Sequence, residues 1–146
     1  MQSKDVLQFP AHESQNTNPR SYSKRWKHES LIANGYTVIP STFLRLYSRL
    51  KPYAITMPEA MLIVHLMEFK WDSKNPYPSY KTLALRMAVS DKRVRRLAQS
   101  LEQKGYLKRK MRMATTNEFD LNPLFDALAA AAMGDLSSVQ DKQAAK

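Results

Sequence analysis

Residues 79–110 read SYKTLALRMAVSDKRVRRLAQSLEQKGYLKRK and hold two helical patterns separated by a short turn. Ser79 precedes the first pattern, and Ser90 precedes the second. A serine hydroxyl at either place can accept a hydrogen bond from a free N–H group in the first turn of the following helix. Gly105 ends the second pattern and suits a left-handed C-terminal cap. The stretch therefore predicts a short helix, a tight turn and a longer helix in direct succession.

The two predicted helices each have one apolar face. The first is expected to run from Ser79 to about Met87, with Leu83 facing the core. The second is expected over 91–104, where apolar residues recur at spacings of three and four, which is typical of a single buried face. That face consists of Val94, Leu97, Ala98 and Leu101.

The opposite face of the second helix is cationic. With about 100° of rotation per residue, Lys92, Arg96 and Gln99 point away from the buried face. Arg93 and Arg95 lie on its two flanks. Arginine can form two hydrogen bonds with guanine, and glutamine can do the same with adenine, in the major groove of DNA. The flanking arginines are better placed for phosphate oxygens.

A strongly apolar helix is predicted upstream. Thr56 and Glu59 have the spacing of a capping box, in which each side chain bonds to the backbone of the other residue. The apolar residues that follow, to about Trp71, cover most of the circumference of the helix. A helix that is apolar nearly all round is normally buried, so we expect it to be the central helix of the core.

A hairpin and a last helix are predicted downstream. Residues 106–113 alternate like a strand, and residues 118–121 form the returning strand. Asn122 and Pro123 then begin a helix whose apolar stripe is Leu124, Phe125 and Leu128. This stripe either closes the core or forms the seam of a homodimer, and the pattern does not distinguish these alternatives.

The order of these elements predicts an α+β fold, mainly helical with a small β-hairpin. A buried helix, a short helix, a turn, a longer helix and a hairpin form the winged helix-turn-helix arrangement. In it, the second helix of the pair enters the major groove, which at about 12 Å wide admits one helix. The hairpin, or wing, flanks the duplex. We predict the segment 91–104 to be the recognition helix and 106–121 to be the wing.

Positive charge is concentrated in these two elements. Between residues 92 and 112 the chain has nine basic residues and one acidic residue, an excess of eight within a net charge of +10. Such an excess favours a polyanionic partner, and double-stranded DNA is the first candidate. The start of the short helix could hold a further phosphate. The additional predicted contacts are Ser79, Tyr80 and Lys81 there, Ser90 in the turn, and Lys108, Lys110 and Arg112 on the wing.

The composition argues against several other classes. The chain has no cysteine, its three histidines lack the spacing of metal ligands, and no catalytic set or phosphate-binding glycine loop can be assembled. We therefore expect no enzyme, no metal and no cofactor. No apolar run is long enough to span a membrane, and the N-terminus has no hydrophobic signal core, so we expect a cytoplasmic protein without a membrane partner.

Three regions are predicted along the 146 residues. Residues 1–25 are polar, lack periodicity and end in basic residues, so we expect a flexible basic arm. Residues 26–133 should form the winged helix-turn-helix domain with its flanking helices. Residues 134–146 are expected to be a disordered tail.

Three segments resemble the bacterial winged helix-turn-helix family. They are WKHESLIANGYTVIPSTFL (26–44), YPSYKTLALRMAVSDKRVRRLAQSLEQKGYLKRK (77–110) and NEFDLNPLFDAL (117–128). Within that family, they resemble the domains of plasmid, phage and mobile-element replication proteins, including DnaD-like ones, and of small transcriptional regulators. The resemblance covers roughly residues 26–130 and implies DNA contacts at Ser90, Lys92, Arg93, Arg95 and Arg96.

The chain departs from this family at two positions. Many relatives have glycine where Ala88 stands in the turn, which predicts a turn without a left-handed residue there. Many also have a small hydroxyl residue in place of Arg93, so the pattern of DNA contacts is expected to differ.

Several functions are compatible with the sequence. The first interpretation is a sequence-specific regulator of transcription that binds double-stranded DNA, as a homodimer on an inverted repeat. The alternative is a replication or maintenance factor of a plasmid, phage or other mobile element. An architectural DNA binder and a protein-interaction module on the same scaffold are further possibilities.

Overall fold

The structure is a computed structural model that describes residues 25–112 and 116–144, with side chains up to Gly134. The chain divides into two compact units, 1–37 and 38–146. The predicted basic arm lies outside the described residues except for Arg25. In the described part of the first unit, Ser30–Ala33 form one helical turn, α1. The second unit begins at Val38, later than the predicted domain start at residue 26.

The second unit is mostly helical and contains one antiparallel hairpin, which confirms the predicted α+β class with a winged-helix-like architecture. Lys108 pairs with Asp120 at one end of the hairpin, and Met111 pairs with Asn117 at the other. The elements are α2 Ser41–Leu46 with a 3-10 turn at Tyr47–Arg49, α3 Met57–Glu68, α4 Tyr80–Met87, α5 Asp91–Gln103, β1 Lys108–Met111, β2 Asn117–Asp120 and α6 Asn122–Ala144.

Helix α3 begins with the predicted capping box. The Thr56 backbone N–H donates to Glu59 Oε1 over 2.9 Å, and the Glu59 backbone N–H donates to Thr56 Oγ1 over 3.4 Å. One side of the helix lies in the core, but Met57 and Met61 are 76% and 50% exposed. The prediction that α3 is buried nearly all round is therefore wrong. The helix also ends at Glu68, before the predicted end near Trp71.

Helix α5 has the buried stripe that the sequence predicts, because its four apolar residues lie on one face and pack into the core. Gly105 ends the helix in the left-handed region, at φ +82°. Its N–H donates to the Glu102 carbonyl over 2.9 Å, and the Tyr106 N–H donates to the Leu101 carbonyl over 3.0 Å. These two bonds form a Schellman motif, which fixes where α5 stops and β1 starts.

The turn between α4 and α5 corrects one expectation. Ala88 has φ +55° and ψ +43°, which is the left-handed region, so the prediction of a turn without such a residue is wrong. This conformation lets the Val89 N–H bond back to the Ala84 carbonyl over 3.1 Å and terminates α4. A left-handed conformation costs an alanine roughly 1–2 kcal/mol. The fold tolerates this cost because the turn between α4 and α5 requires a left-handed residue at this position.

Helix α6 closes the core. Leu124 and Leu128 are buried, and Phe125 is half-buried with the ammonium of Lys70 5.9 Å from its ring centroid. Of the two predicted roles for this stripe, the structure gives Leu124 and Leu128 the role of closing the core rather than forming a dimer seam. The helix also continues to Ala144, whereas the sequence predicts a tail without structure from residue 134. The alanine-rich turns have high helix propensity, and the segment contains no proline to end the helix.

Candidate nucleic-acid interface

The N-terminus of α5 is capped as the sequence predicts. Ser90 Oγ accepts a hydrogen bond from the Arg93 backbone N–H over 3.1 Å. Asp91 lies in the first turn, where a negative charge interacts favourably with the helix dipole. The Ser90 hydroxyl thus has a structural role, which orients the residues that follow it.

The cations of α5 project to solvent. They are exposed, whereas the apolar residues between them are buried. Within the described residues, the side chains of Lys92, Arg93 and Arg96 form no ion pair with an acidic group. Gln99 continues the same exposed face one turn further on. Three uncompensated positive charges and an amide therefore lie on one surface.

Arg95 is also exposed, but it lies over an aromatic ring. Its guanidinium carbon is 4.9 Å from the ring centroid of Tyr80, which is a cation–π contact. The contact holds the arginine on the flank of α5 that faces the hairpin. This is the flank on which the sequence predicts a phosphate contact.

Tyr80 joins several elements. Its hydroxyl accepts one hydrogen bond from Arg109 Nη1 and one from Asn117 Nδ2, each over 2.8 Å. Its ring also meets Phe119 edge to face, with centroids 5.9 Å apart. Tyr80 is half-buried, so most of its polar bonding is internal to the protein rather than open to a partner.

The start of α4 contains the other two residues that the sequence proposes for a phosphate. Ser79 Oγ accepts the Thr82 backbone N–H over 3.0 Å and so caps the helix. Lys81 is exposed. The two residues border an open cleft of about 370 Å³ between the start of α4, the start of α5 and strand β2, which Arg95 and Asn117 also line.

The hairpin differs from α5 in how its charges are used. Lys108 is exposed and has no ion pair among the described residues. Lys110 Nζ lies 3.9 Å from Asp120 Oδ2, and Arg112 Nε lies 3.8 Å from Glu118 Oε1. Of the three wing residues that the sequence predicts as DNA contacts, Lys110 and Arg112 thus have an acidic neighbour, and Lys108 has none within the described ranges.

Arg112 is further restricted by an aromatic contact. Its guanidinium carbon lies 4.1 Å from the ring centroid of Tyr77, in the loop before α4. A cation–π contact of this kind covers part of the ring face and part of the guanidinium. Arg112 is consequently half-buried, and much of its surface is turned toward the protein.

Two further cations of the basic segment stabilise the fold. Lys104 Nζ donates to Glu59 Oε1 over 2.6 Å and to the Ala54 carbonyl over 2.9 Å. Burial alone would raise the pKa of Glu59, but its hydrogen bonds with Lys104 and Thr56 lower the pKa below the ordinary 4.5. Lys104 thus pairs within the protein, and it is not among the predicted DNA contacts.

The second of these cations is Arg109. Its side chain forms an ion pair with Glu102, and this hydrogen bond raises the pKa of the Arg109 guanidinium above its usual value. Burial acts in the opposite direction but is the smaller effect. Arg109 remains charged at any ordinary pH and links strand β1 to helix α5.

Sequence reasoning missed Asn117, Glu102 and Arg109 as parts of this interface. The only available signal was that Arg109 breaks the apolar face of its strand. An arginine at an inward-facing position requires a buried acceptor or anion, because an unpaired charge there is costly. The sequence could not indicate that Glu102 and Tyr80 supply these groups.

Residues 39–139 match the DnaD N-terminal domain, which covers α2 to most of α6. No curated protein matches the chain. In the part of the chain that the structure describes, no helix is both long and apolar enough to cross a membrane. The match suggests a DNA-related function in replication. The chain belongs to the DnaD N-terminal domain family.

Proposed function

We propose that this protein is a replication or maintenance factor that binds double-stranded DNA, with α5 in the major groove and the hairpin against the backbone. The observation that carries the proposal is the exposed face of α5. It holds Lys92, Arg93 and Arg96 with no ion pair among the described residues. Like charges repel one another, so an arrangement of this kind is favourable when an anion binds to it.

The spacing on α5 fits recognition of base edges. Lys92, Arg96 and Gln99 are separated by four and three residues, so they lie along one line of the helix surface. That line is opposite the buried stripe and would face the floor of the groove. Arg96 and Gln99 supply the side-chain types that form paired hydrogen bonds with guanine and adenine.

The family match changes which role we favour. The sequence alone ranks a transcriptional regulator first and a replication factor second. A DnaD N-terminal domain supports the second, because the family is related to replication. No feature of the described residues favours regulation of transcription over replication. We therefore place the DNA-binding surface in a replication factor.

The test is capture of genomic DNA fragments by the purified full chain, followed by sequencing. A few strongly enriched sites at an origin, arranged as direct repeats, are expected for a replication factor. Enrichment at promoters would instead identify a regulator and contradict the proposed role. Failure to bind any duplex would contradict DNA binding itself and point to a protein-interaction module.

The dependence of affinity on salt provides a quantitative check. The exposed cations beside the cleft, on α5 and on β1 that lack an ion pair within the described ranges are Lys81, Lys92, Arg93, Arg95, Arg96 and Lys108. If these reach phosphates, the logarithm of affinity should fall with the logarithm of salt concentration at a slope of roughly −5. A slope near zero would contradict the proposal.

A matched control is available on α2. Arg45 is exposed, as Arg96 is, but it belongs to a helix outside the proposed interface. Arg45→Ala removes the same charge from the protein and should leave affinity for DNA nearly unchanged. An equal loss for Arg45→Ala and Arg96→Ala would mean that net charge, rather than α5, determines binding.

A further inference from the structure

Tyr80 touches each of the elements that the proposed function brings to DNA. It is the first residue of α4, its hydroxyl contacts both strands of the hairpin, and its ring lies under a residue of α5. No other described side chain on the same surface has polar contacts with both hairpin strands. Tyr80 therefore connects α4, α5 and the hairpin.

The hydroxyl of Tyr80 connects to the hairpin through two donors. Arg109 lies on β1 and Asn117 lies on β2, and both donate to the same oxygen. Arg109 is in turn paired with Glu102 of α5. A chain of polar contacts therefore runs from α4 through the hairpin to the C-terminal half of α5.

The ring of Tyr80 makes a second set of contacts. Arg95 lies over it, while Phe119 approaches it edge to face. The stacked arrangement limits the conformations open to Arg95, so less conformational entropy remains to be lost when that side chain meets a phosphate. The hydroxyl and the ring thus act on different partners and can be separated by mutation.

We propose that Tyr80 is the positioning residue of the DNA interface: it fixes the hairpin and Arg95 relative to α5, at the spacing at which both meet the phosphate backbone of a duplex. The inference rests on the proposed DNA-binding function and deepens it. The residue acts through the wing and Arg95, so its effect on DNA depends on the groups it positions. Preorganised contacts of this kind increase affinity because ordering precedes binding.

The first test is Tyr80→Phe, which keeps the ring and removes the acceptor of both hydrogen bonds. Affinity for a mixed-sequence duplex should fall by about three- to tenfold, because the order that these two internal hydrogen bonds provide must then be established on binding. The matched control is Tyr53→Phe, because Tyr53 is exposed and lies outside the interface. No change in affinity for Tyr80→Phe would overturn the inference.

Tyr80→Leu separates the ring from the hydroxyl. This variant also loses the cation–π contact with Arg95, so its affinity should fall further than that of Tyr80→Phe. If Arg95→Ala is introduced as well, the additional loss should disappear, because the ring then has no cation to hold. A persistent additional loss would mean that the ring acts otherwise than through Arg95.

A double-mutant cycle distinguishes positioning from a direct phosphate contact. Lys108 is adjacent to Arg109 on the hairpin and has no ion pair among the described residues. If Tyr80 acts by placing the wing, Tyr80→Phe should cost much less in a Lys108→Ala background than alone. Strictly additive losses would overturn the positioning role and make the Tyr80 hydroxyl an independent contact.

A measurement without DNA separates failure of this inference from failure of the proposed function. Amide hydrogen exchange of β1 and β2 in the free protein should be faster in Tyr80→Phe than in the wild type, with the core helices unchanged. If the wild type binds no duplex, the proposed function fails. If it binds, but the variant shows unchanged hairpin exchange or unchanged affinity, only the inference fails.

Discussion

Helix α5 and the hairpin have similar numbers of basic residues, but these residues differ in their ion pairing. On α5, Lys92, Arg93 and Arg96 point to solvent with no ion pair among the described residues. On the hairpin, Lys110 and Arg112 lie within 4 Å of acidic groups on the opposite strand. In a hairpin, each residue faces a partner of the returning strand, whereas the outer face of a helix has no such partner. The number of basic residues in a segment therefore overestimates the charge that an external anion can meet.

The largest effect is expected on α5. Arg96→Ala should cost roughly 1–3 kcal/mol of DNA binding and relax the preference at one base pair. Affinity should be measured on the preferred site and on single-base variants of it. A loss that is equal on every sequence would make Arg96 a phosphate contact and would remove base recognition from this residue.

The next effect concerns Lys104, which directly follows α5 but pairs with a buried residue instead of facing solvent. Glu59 is only 2% exposed and pairs with Lys104, so Glu59→Gln should cost about 2 kcal/mol of folding stability. The change should leave DNA affinity of the folded protein unaltered. Urea unfolding and a binding titration on the same variant measure the two quantities.

The dependence of stability on pH tests the same pair. The folded-state pKa of Glu59 is below its ordinary 4.5, so folding favours the charged carboxylate. Its contribution to stability is present above that value and is lost as the pH falls through the lower folded-state pKa. The wild type should therefore lose more stability than Glu59→Gln on acidification. Parallel loss in both proteins would contradict the assigned shift.

A smaller effect is expected in the turn that leads into α5. Ala88→Gly removes a side chain from a residue at φ +55°. Relief of roughly 1–2 kcal/mol of strain is offset in part by the greater freedom of glycine in the unfolded chain, so a net gain of about 0.5–1 kcal/mol is expected. Thermal unfolding would detect it. A decrease in stability would show that the Ala88 side chain makes a compensating contact.

The smallest effect is expected on the hairpin. Lys110→Ala should change DNA affinity by less than about 0.5 kcal/mol, because the nearby Asp120 carboxylate offsets the attraction between Lys110 and a phosphate. Lys92→Ala, with the same change of charge on α5, should cost clearly more. Equal losses of DNA affinity in the two variants would show that the cations of the helix and of the hairpin contribute alike to binding.

Most of the fold was predictable because its signals are local. The serine caps of α4 and α5, the capping box of α3 and the terminal Gly105 each depend on residues within one helical turn. Spacings of three and four likewise identify the buried face of α5 without knowledge of any other element. Such signals can be read from a single sequence because they do not depend on contacts with residues that are distant in the chain.

The internal contacts of the basic residues were not predictable. Lys104 and Glu59 are 45 residues apart, and Arg109 and Tyr80 are 29 residues apart. Only the folded chain brings them together, so the sequence shows their charges but not their pairing. The left-handed Ala88 was missed for a different reason: alanine avoids this region on its own, and tertiary structure imposes it here.

The exposed side of α3 determines which methionines of that helix are oxidised first. The chain has no cysteine, so methionine is the sulfur-containing residue open to peroxides. Met57 and Met61 lie at the surface, whereas Met67 on the same helix is 6% exposed. An oxidant would convert the first two to sulfoxides well before the third. Because these two side chains contribute little to the core, their oxidation should destabilise the fold less than oxidation of Met67.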